Sequence, residues 1–80
     1  MSLDLRIVSP EKIEYKGCVE QVTVPGTGGE FEILQNHAPI ISSLESGCIT
    51  YRDSEGVHSV DISRGFVEVQ KNKVNICVEL

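Results

Sequence analysis

Val74-Asn75-Ile76-Cys77-Val78-Glu79-Leu80 alternates four aliphatic side chains with Asn, Cys and Glu. Successive side chains of a strand point to opposite faces, so this pattern places Val74, Ile76, Val78 and Leu80 on one side and describes a half-buried strand. The same period recurs upstream. Leu3-Asp4-Leu5-Arg6-Ile7 shows it, as do Val67-Glu68-Val69, Val57 to Ile62, Cys48 to Arg52 and, less strictly, Val19 to Val24, with Phe31-Glu32-Ile33-Leu34 strand-like. Turn-forming residues fall between them: Ser9-Pro10, Lys16-Gly17, Pro25-Gly26 with Gly28-Gly29, Ser46-Gly47, Asp53-Ser54-Glu55-Gly56, Arg64-Gly65 and Lys71-Asn72-Lys73. Turn signals roughly every 8–12 residues predict an antiparallel sandwich or barrel.

Composition agrees. Val and Ile number 18, against five Leu and a single Ala. Branched side chains lose freedom in helices and pack well on pleated surfaces. No window carries a helical stripe. The nearest candidate, Ala38-Pro39-Ile40-Ile41-Ser42-Ser43-Leu44, is read as a loop entering a short strand because Ile40 and Ile41 are β-branched. With 80 residues and no linker, low-complexity segment or repeat, residues 1–80 are expected to form one all-β domain. Its stability should lie at roughly 4–12 kcal/mol. There is no room for a nucleotide-binding α/β domain.

The chain has 12 Asp and Glu against 7 Lys and Arg, a formal charge of −5. Its longest basic cluster is Lys71-Asn72-Lys73, so the electrostatic footprint needed for nucleic acid or anionic lipid is missing. No apolar run approaches the ~20 residues that span a bilayer, and Met1 to Arg6 lacks the form of a signal peptide. Cys18, Cys48 and Cys77 are an odd number at spacings of 30 and 29. That predicts buried, reduced thiols in a cytosolic setting, without a disulfide framework.

Candidate chemistry is sparse. Pro25-Gly26-Thr27-Gly28-Gly29-Glu30 has the glycines of a phosphate cradle, but it lacks Gly-Lys-Ser/Thr and opens a strand instead of a helix, so a tight turn is expected. His37 precedes Ala38-Pro39, a stiff exposed loop, with no nucleophile nearby to activate; it reads as a loop or partner-contact residue. His58 alternates with Val57 as a solvated strand residue. No Cys-x-x-Cys or paired His organises a metal site. Glu30 and Glu32 share one strand face, with Glu20 expected nearby, and read as a solvated face or the rim of an interface. No catalytic, cofactor-binding or metal-binding residue is assigned. These residues alone describe a small acidic all-β binding domain, for which a free-standing peptide- or sugar-binding module using the glycine-rich and His-Ala-Pro loops is one reading.

Val22-Thr-Val-Pro-Gly-Thr-Gly-Gly-Glu-Phe-Glu-Ile-Leu-Gln-Asn-His-Ala-Pro-Ile-Ile41, the later Ser63-Arg64-Gly65-Phe66-Val67-Glu68-Val69 and the opening Leu5-Arg6-Ile7-Val8-Ser9-Pro10-Glu11 point further. In order and spacing they resemble the N-terminal domain of the epsilon subunit of F-type ATP synthase. That family typically carries a Pro-Gly-x-x-Gly turn, a His-Ala-Pro-Leu loop and a Ser-Gly-Gly-Phe-x-Glu-Val strand. The resemblance implies a flattened antiparallel β-sandwich of about ten short strands. It implies a non-catalytic central-stalk subunit that binds gamma and the c-ring, without cofactor, and couples ion translocation to ATP synthesis. It would be peripheral on the cytoplasmic face of a bacterial inner membrane, associated through the complex and not by lipid insertion. Carried over by position, the c-ring surface falls on Gly26, Thr27, Gly28, Gly29 and Glu30 with His37, Ala38 and Pro39. The gamma surface falls on Ile40, Ile41, Ser42 and Leu44 with Val67, Glu68 and Val69. Two departures stand out: Glu32 replaces the family's Gly after the turn's Phe, and Gln35-Asn36 replaces Pro-Gly before the His. Family members usually continue into a helical hairpin that can block ATP hydrolysis; a chain ending at Leu80 implies coupling without that inhibition.

Overall fold

The computed structural model describes residues 2–80. Nine strands follow one another: β1 (Leu3–Val8), β2 (Ile13–Val19), β3 (Gln21–Gly26), β4 (Gly29–Ile33), β5 (Ile40–Leu44), β6 (Gly47–Asp53), β7 (Gly56–Ile62), β8 (Arg64–Gln70) and β9 (Lys73–Glu79). No helix occurs among the described residues. All the strands belong to one curled sheet, ordered β2-β1-β9-β8-β5-β3-β6-β7, with β4 on β3. The sheet bends where β5 meets β3 at the single register pair Gly26↔Leu44. β2-β1-β9-β8-β5 thereby forms one layer and β4-β3-β6-β7 the other.

The quoted C-terminal alternation is the centre of the first layer. Val74, Ile76 and Val78 of β9 are buried, as are Leu3, Leu5 and Ile7 of β1 and Val67 and Val69 of β8. Val22, Val24, Ile33, Ile49, Tyr51 and Ile62 close the core from the other layer. The expected all-β sandwich is thus present, with nine strands where about ten were expected. One pairing departs from the antiparallel rule: β1 and β9 run parallel, Leu5 beside Val74 and Ile7 beside Ile76. Chain ends far apart in sequence can pair this way because the remaining strands serve as the crossover.

Two expected turns lie inside strands. Lys16-Gly17 belongs to β2, where Gly17 faces Leu5. A Cβ there would meet Tyr15 Oη at 2.8 Å, so the glycine leaves room for the Tyr15 phenol to lie along its own strand. Arg64-Gly65 opens β8, and the bend is at Ser63. The thiols are a larger correction: Cys18 and Cys48 are exposed and Cys77 half-buried, all unpaired. Alternation puts them opposite the core positions of their strands. Cys48 Sγ donates to Asp61 Oδ1 at 2.8 Å, and that carboxylate raises the Cys48 pKa and keeps the sulfur protonated.

Tyr15 also closes the sheet. Its ring packs against Tyr51 at a tilt of 42°, centroids 4.4 Å apart, and its hydroxyl donates to Asp53 Oδ2 at 3.3 Å. Asp53 Oδ1 accepts the Glu55 N–H at 2.8 Å and pairs with His58 Nε2 at 3.0 Å. His58 is therefore half-buried against Asp53 and Tyr51, not simply solvated. The clasp joins β2, one end of the sheet, to the β6–β7 hairpin at the other. The Asp53 carboxyl is held below the usual aspartate range, chiefly by the Glu55 N–H, with His58 and Tyr15 adding to it against a desolvation penalty. A folded-state pKa below the unfolded value means that this contribution is present above about pH 4 and is lost as pH falls through the folded value. Asp53→Asn should therefore lower the thermal midpoint at pH 7, with the two proteins converging near pH 2. A gap that persists undiminished in acid would count against the clasp.

Candidate docking surfaces

The glycine-rich turn is a tight hairpin. Gly26 pairs with Gly29 across the two-residue turn Thr27-Gly28. Gly29 sits at φ 129, a backbone angle open in practice to glycine. Two bonds anchor the tip to the end of β5: Thr27 N–H donates to Ser43 O at 3.1 Å and Glu45 N–H to Pro25 O at 2.9 Å. Thr27, Gly28, Gly29 and Glu30 are exposed, whereas Gly26 is buried. Glu32 faces Thr23 across the hairpin and Glu30 faces Pro25. Glu20 is not on this face; it lies between β2 and β3, its N–H donating to Arg52 O. Glu30 and Glu32 are both exposed on β4, and neither enters an ion pair among the described residues, so the hairpin projects as an acidic tip.

The His37 loop is elsewhere. β4 runs away from the hairpin tip, residues 34–39 turn, and β5 returns, its first residue Ile40 beside Val69 and its last, Leu44, beside Gly26. The His37-Ala38-Pro39 loop and the hairpin tip thus stand at opposite ends of β5, about 13 Å apart along the strand. The resemblance implies one ring-facing surface for both; the structure sets them at opposite ends of the strand between them.

The expected gamma-facing set also divides. Leu44, Val67 and Val69 are core residues, 3%, 0% and 1% exposed, and offer a partner no side chain. Ile40 packs against the core from a half-buried position, and Ser42 shares its face. Only Ile41 and Glu68 point outward, paired directly across β5 and β8. The reason is the two-residue period: consecutive strand residues such as Ile40, Ile41 and Ser42 cannot all face one partner.

Sequence reading missed what lies beside them. Phe66 is paired with Ser43 and Cys77, Cys77 with Val8, and Val8 with Ile13. Directly paired residues share a face, so a row runs across β5, β8, β9, β1 and β2 on the outer side of the first layer. In that row Ile13 is 50% and Phe66 49% exposed; Ile41, 75% exposed, belongs to the neighbouring row, whose other members are Glu68, Asn75, Arg6 and Lys16. Beside Phe66 a shallow groove is lined by Val8, Pro10, Leu44, Cys77 and Val78. Phe66 could have been found, since inward Val67 and Val69 force it outward, but its alignment with Ile13 depends on pairings that no local pattern contains.

No group of three His, Cys, Asp or Glu residues able to hold a metal occurs among the described residues. The geometry sets out three exposed features: the glutamate-bearing hairpin tip at one end of β5, the His-Ala-Pro loop at the other, and an apolar row on one outer face. The chain belongs to the family of the ATP synthase delta/epsilon chain β-sandwich domain, whose model matches residues 2–80. It is 42% identical over 77 residues to the ATP synthase epsilon chain of Leptospira borgpetersenii serovar Hardjo-bovis, covering 96% of this chain and 61% of that one. To the epsilon chain of Desulfitobacterium hafniense it is 49% identical over 75 residues, 94% of this chain and 57% of that one. It therefore spans about three-fifths of the length of these relatives. The fold superimposes with a TM-score of 0.89 on a chain of the Euglena gracilis mitochondrial ATP synthase (OSCP/F1/c-ring), at 21% identity and covering 96% of this chain and 50% of that one. A chain of the Tetrahymena thermophila mitochondrial ATP synthase central stalk and c-ring gives 0.83 at 16% identity, covering all of this chain and 65% of that one.

Proposed function

We propose that this chain is a non-catalytic central-stalk subunit of F-type ATP synthase, binding gamma and the c-ring so that ion translocation is coupled to ATP synthesis. The observation that carries this reading is the exposed Ile41–Phe66 face on a domain whose family match runs through residues 2–80. An apolar row of this kind is rarely left to water in a small domain. Gamma covers the outer face of β5 and β8, reaching Ile41, Phe66 and Glu68 and continuing to His37, Ala38 and Pro39 at the adjoining end. The ring is met by the hairpin tip, Thr27 to Glu30. Both sets differ from what the family positions alone imply: burial removes Leu44, Val67 and Val69, Phe66 is added, and His37, Ala38 and Pro39, at the far end of β5 from the hairpin tip, pass from the ring side to the gamma side. The subunit sits peripherally on the cytoplasmic face of a bacterial inner membrane, held by these proteins without lipid insertion, nucleic acid or cofactor.

The test is co-purification. Tagged protein should bring down gamma and the c-ring, with cross-linkers at Ile41 reaching gamma and at Glu30 reaching ring loops. Failure to bind gamma in both low and moderate salt would sink the reading. The acidic tip makes a second prediction: Glu30→Lys should weaken ring attachment roughly fivefold, mostly through association rate and in a salt-dependent way. Folding should be unaffected, since the tip is exposed. Unchanged attachment would remove Glu30 from the contact.

A further inference from the structure

The His37 loop is held by an unusual pair. Asn36 and Asn72, from two separate turns, both adopt left-handed backbone angles, φ 64 and 62, which asparagine tolerates better than most residues. Asn36 N–H donates to Asn72 Oδ1 at 2.6 Å, and Asn72 Nδ2 donates back to Asn36 Oδ1 at 3.3 Å. The next residue is fixed as well, with His37 N–H donating to Leu34 O at 3.1 Å. Glycine at both positions would reach the same backbone angles without the cross-link, Asn72 supplying the acceptor of the shorter bond and Asn36 that of the longer, so the side chains add rigidity that turn geometry does not need.

The imidazole is oriented in turn. His37 Nδ1 lies 2.7 Å from Ala38 O. A carbonyl oxygen only accepts, so Nδ1 carries the proton and the neutral ring keeps its lone pair on Nε2. Among the described residues no protein group bonds Nε2. His37 is half-exposed, and the loop continues through Pro39 into the depression that Ile41, Glu68 and Gln70 line.

We propose that His37 Nε2 is a hydrogen-bond acceptor presented to an N–H or O–H donor on the partner that covers Ile41, and that Asn36 and Asn72 are its positioning residues. This rests on the reading that gamma covers that face. A preformed acceptor adds affinity because neither loop nor ring must be ordered on binding.

Gamma titrated onto variants of the 80-residue chain tests this directly. His37→Ala should weaken binding about tenfold and the double variant Asn36→Gly/Asn72→Gly about three- to fivefold. Asn72→Asp, which keeps the acceptor for the Asn36 N–H, should recover most of that loss. Long-range ¹H–¹⁵N spectra of the free protein should show His37 protonated on Nδ1, mixed tautomers in the double glycine variant, and a displaced Nε2 resonance when gamma binds. A purely structural role for the asparagines would leave the tautomer alone. A free ring protonated on Nε2 overturns the proposal. So does His37→Ala binding like wild type while Ile41→Lys does not, an outcome that spares the gamma-facing assignment. If both variants bind like wild type, that assignment falls and the inference with it.

Discussion

Gly65→Ala is expected to destabilise the domain by about 3 kcal/mol, a large share of the stability available to a chain of this size. Gly65 lies in β8 between Leu44 of β5 and Val78 of β9. A Cβ there would stand 2.3 Å from Cys77 O and 3.1 Å from Val78 Cα. Both are backbone atoms of the neighbouring strand, so no rotamer change relieves the clash and β8 must move away from β9. Those strands carry Val67, Val69, Val74, Ile76 and Val78, a large part of the core. Gly28→Ala is the control, because nothing lies within 4 Å of its added Cβ, and it should change stability by no more than about 0.5 kcal/mol. Urea denaturation of the three proteins checks both values. A Gly65→Ala cost below about 1 kcal/mol would mean that the strands yield more easily than packed cores do.

Ile41→Lys should produce the largest functional loss, at least about tenfold in affinity for gamma, with stability changed by no more than about 0.5 kcal/mol. Ile41 faces Glu68 directly across the strand pair. A lysine there gains an opposite-charge neighbour in the free domain. Under a partner it leaves a long cation and its counter-ion to be desolvated. Val67→Ala, two residues along β8 from Val69 and on the inner side, should behave oppositely. It creates space in the core and costs about 1–3 kcal/mol of stability while leaving saturated gamma binding intact. Titration calorimetry with thermal melts separates the two effects. An Ile41→Lys protein that binds gamma as tightly as wild type would take this face out of the interface.

The contrast between Ile41 and Val67 shows where local reading ends. The family resemblance puts both on one gamma-facing surface, and alternation alone already says that Val67 and Glu68 face opposite ways. What alternation cannot supply is which of the two faces is covered. That depends on a second layer, Val22, Val24, Ile33 and Ile49, arriving from strands distant in sequence. The cysteines differ for a related reason. Their odd number and wide spacing predict buried thiols, yet Cys18, Cys48 and Cys77 each sit at a position whose strand neighbours are the buried ones.

Strand identity, the positions of most hairpins, the all-β class and the family were legible in the chain itself, because the two-residue period and the turn chemistry of Gly, Asn and Pro act over a few residues at a time. Val74 to Leu80 is the clearest case: its inner residues lie buried where its alternation puts them, apart from the exposed terminal Leu80. Tertiary structure alone decided the rest. It paired β1 with β9 in parallel, turned Gly17 from an expected bend into the seat of Tyr15, joined Asn36 to Asn72, and set the hairpin tip and the His37 loop at opposite ends of β5. These depend on contacts between segments distant in sequence, the Tyr15 ring included, since Tyr51 and Asp53 are what hold it over Gly17, and a local pattern, however regular, contains no term for the register in which distant strands meet.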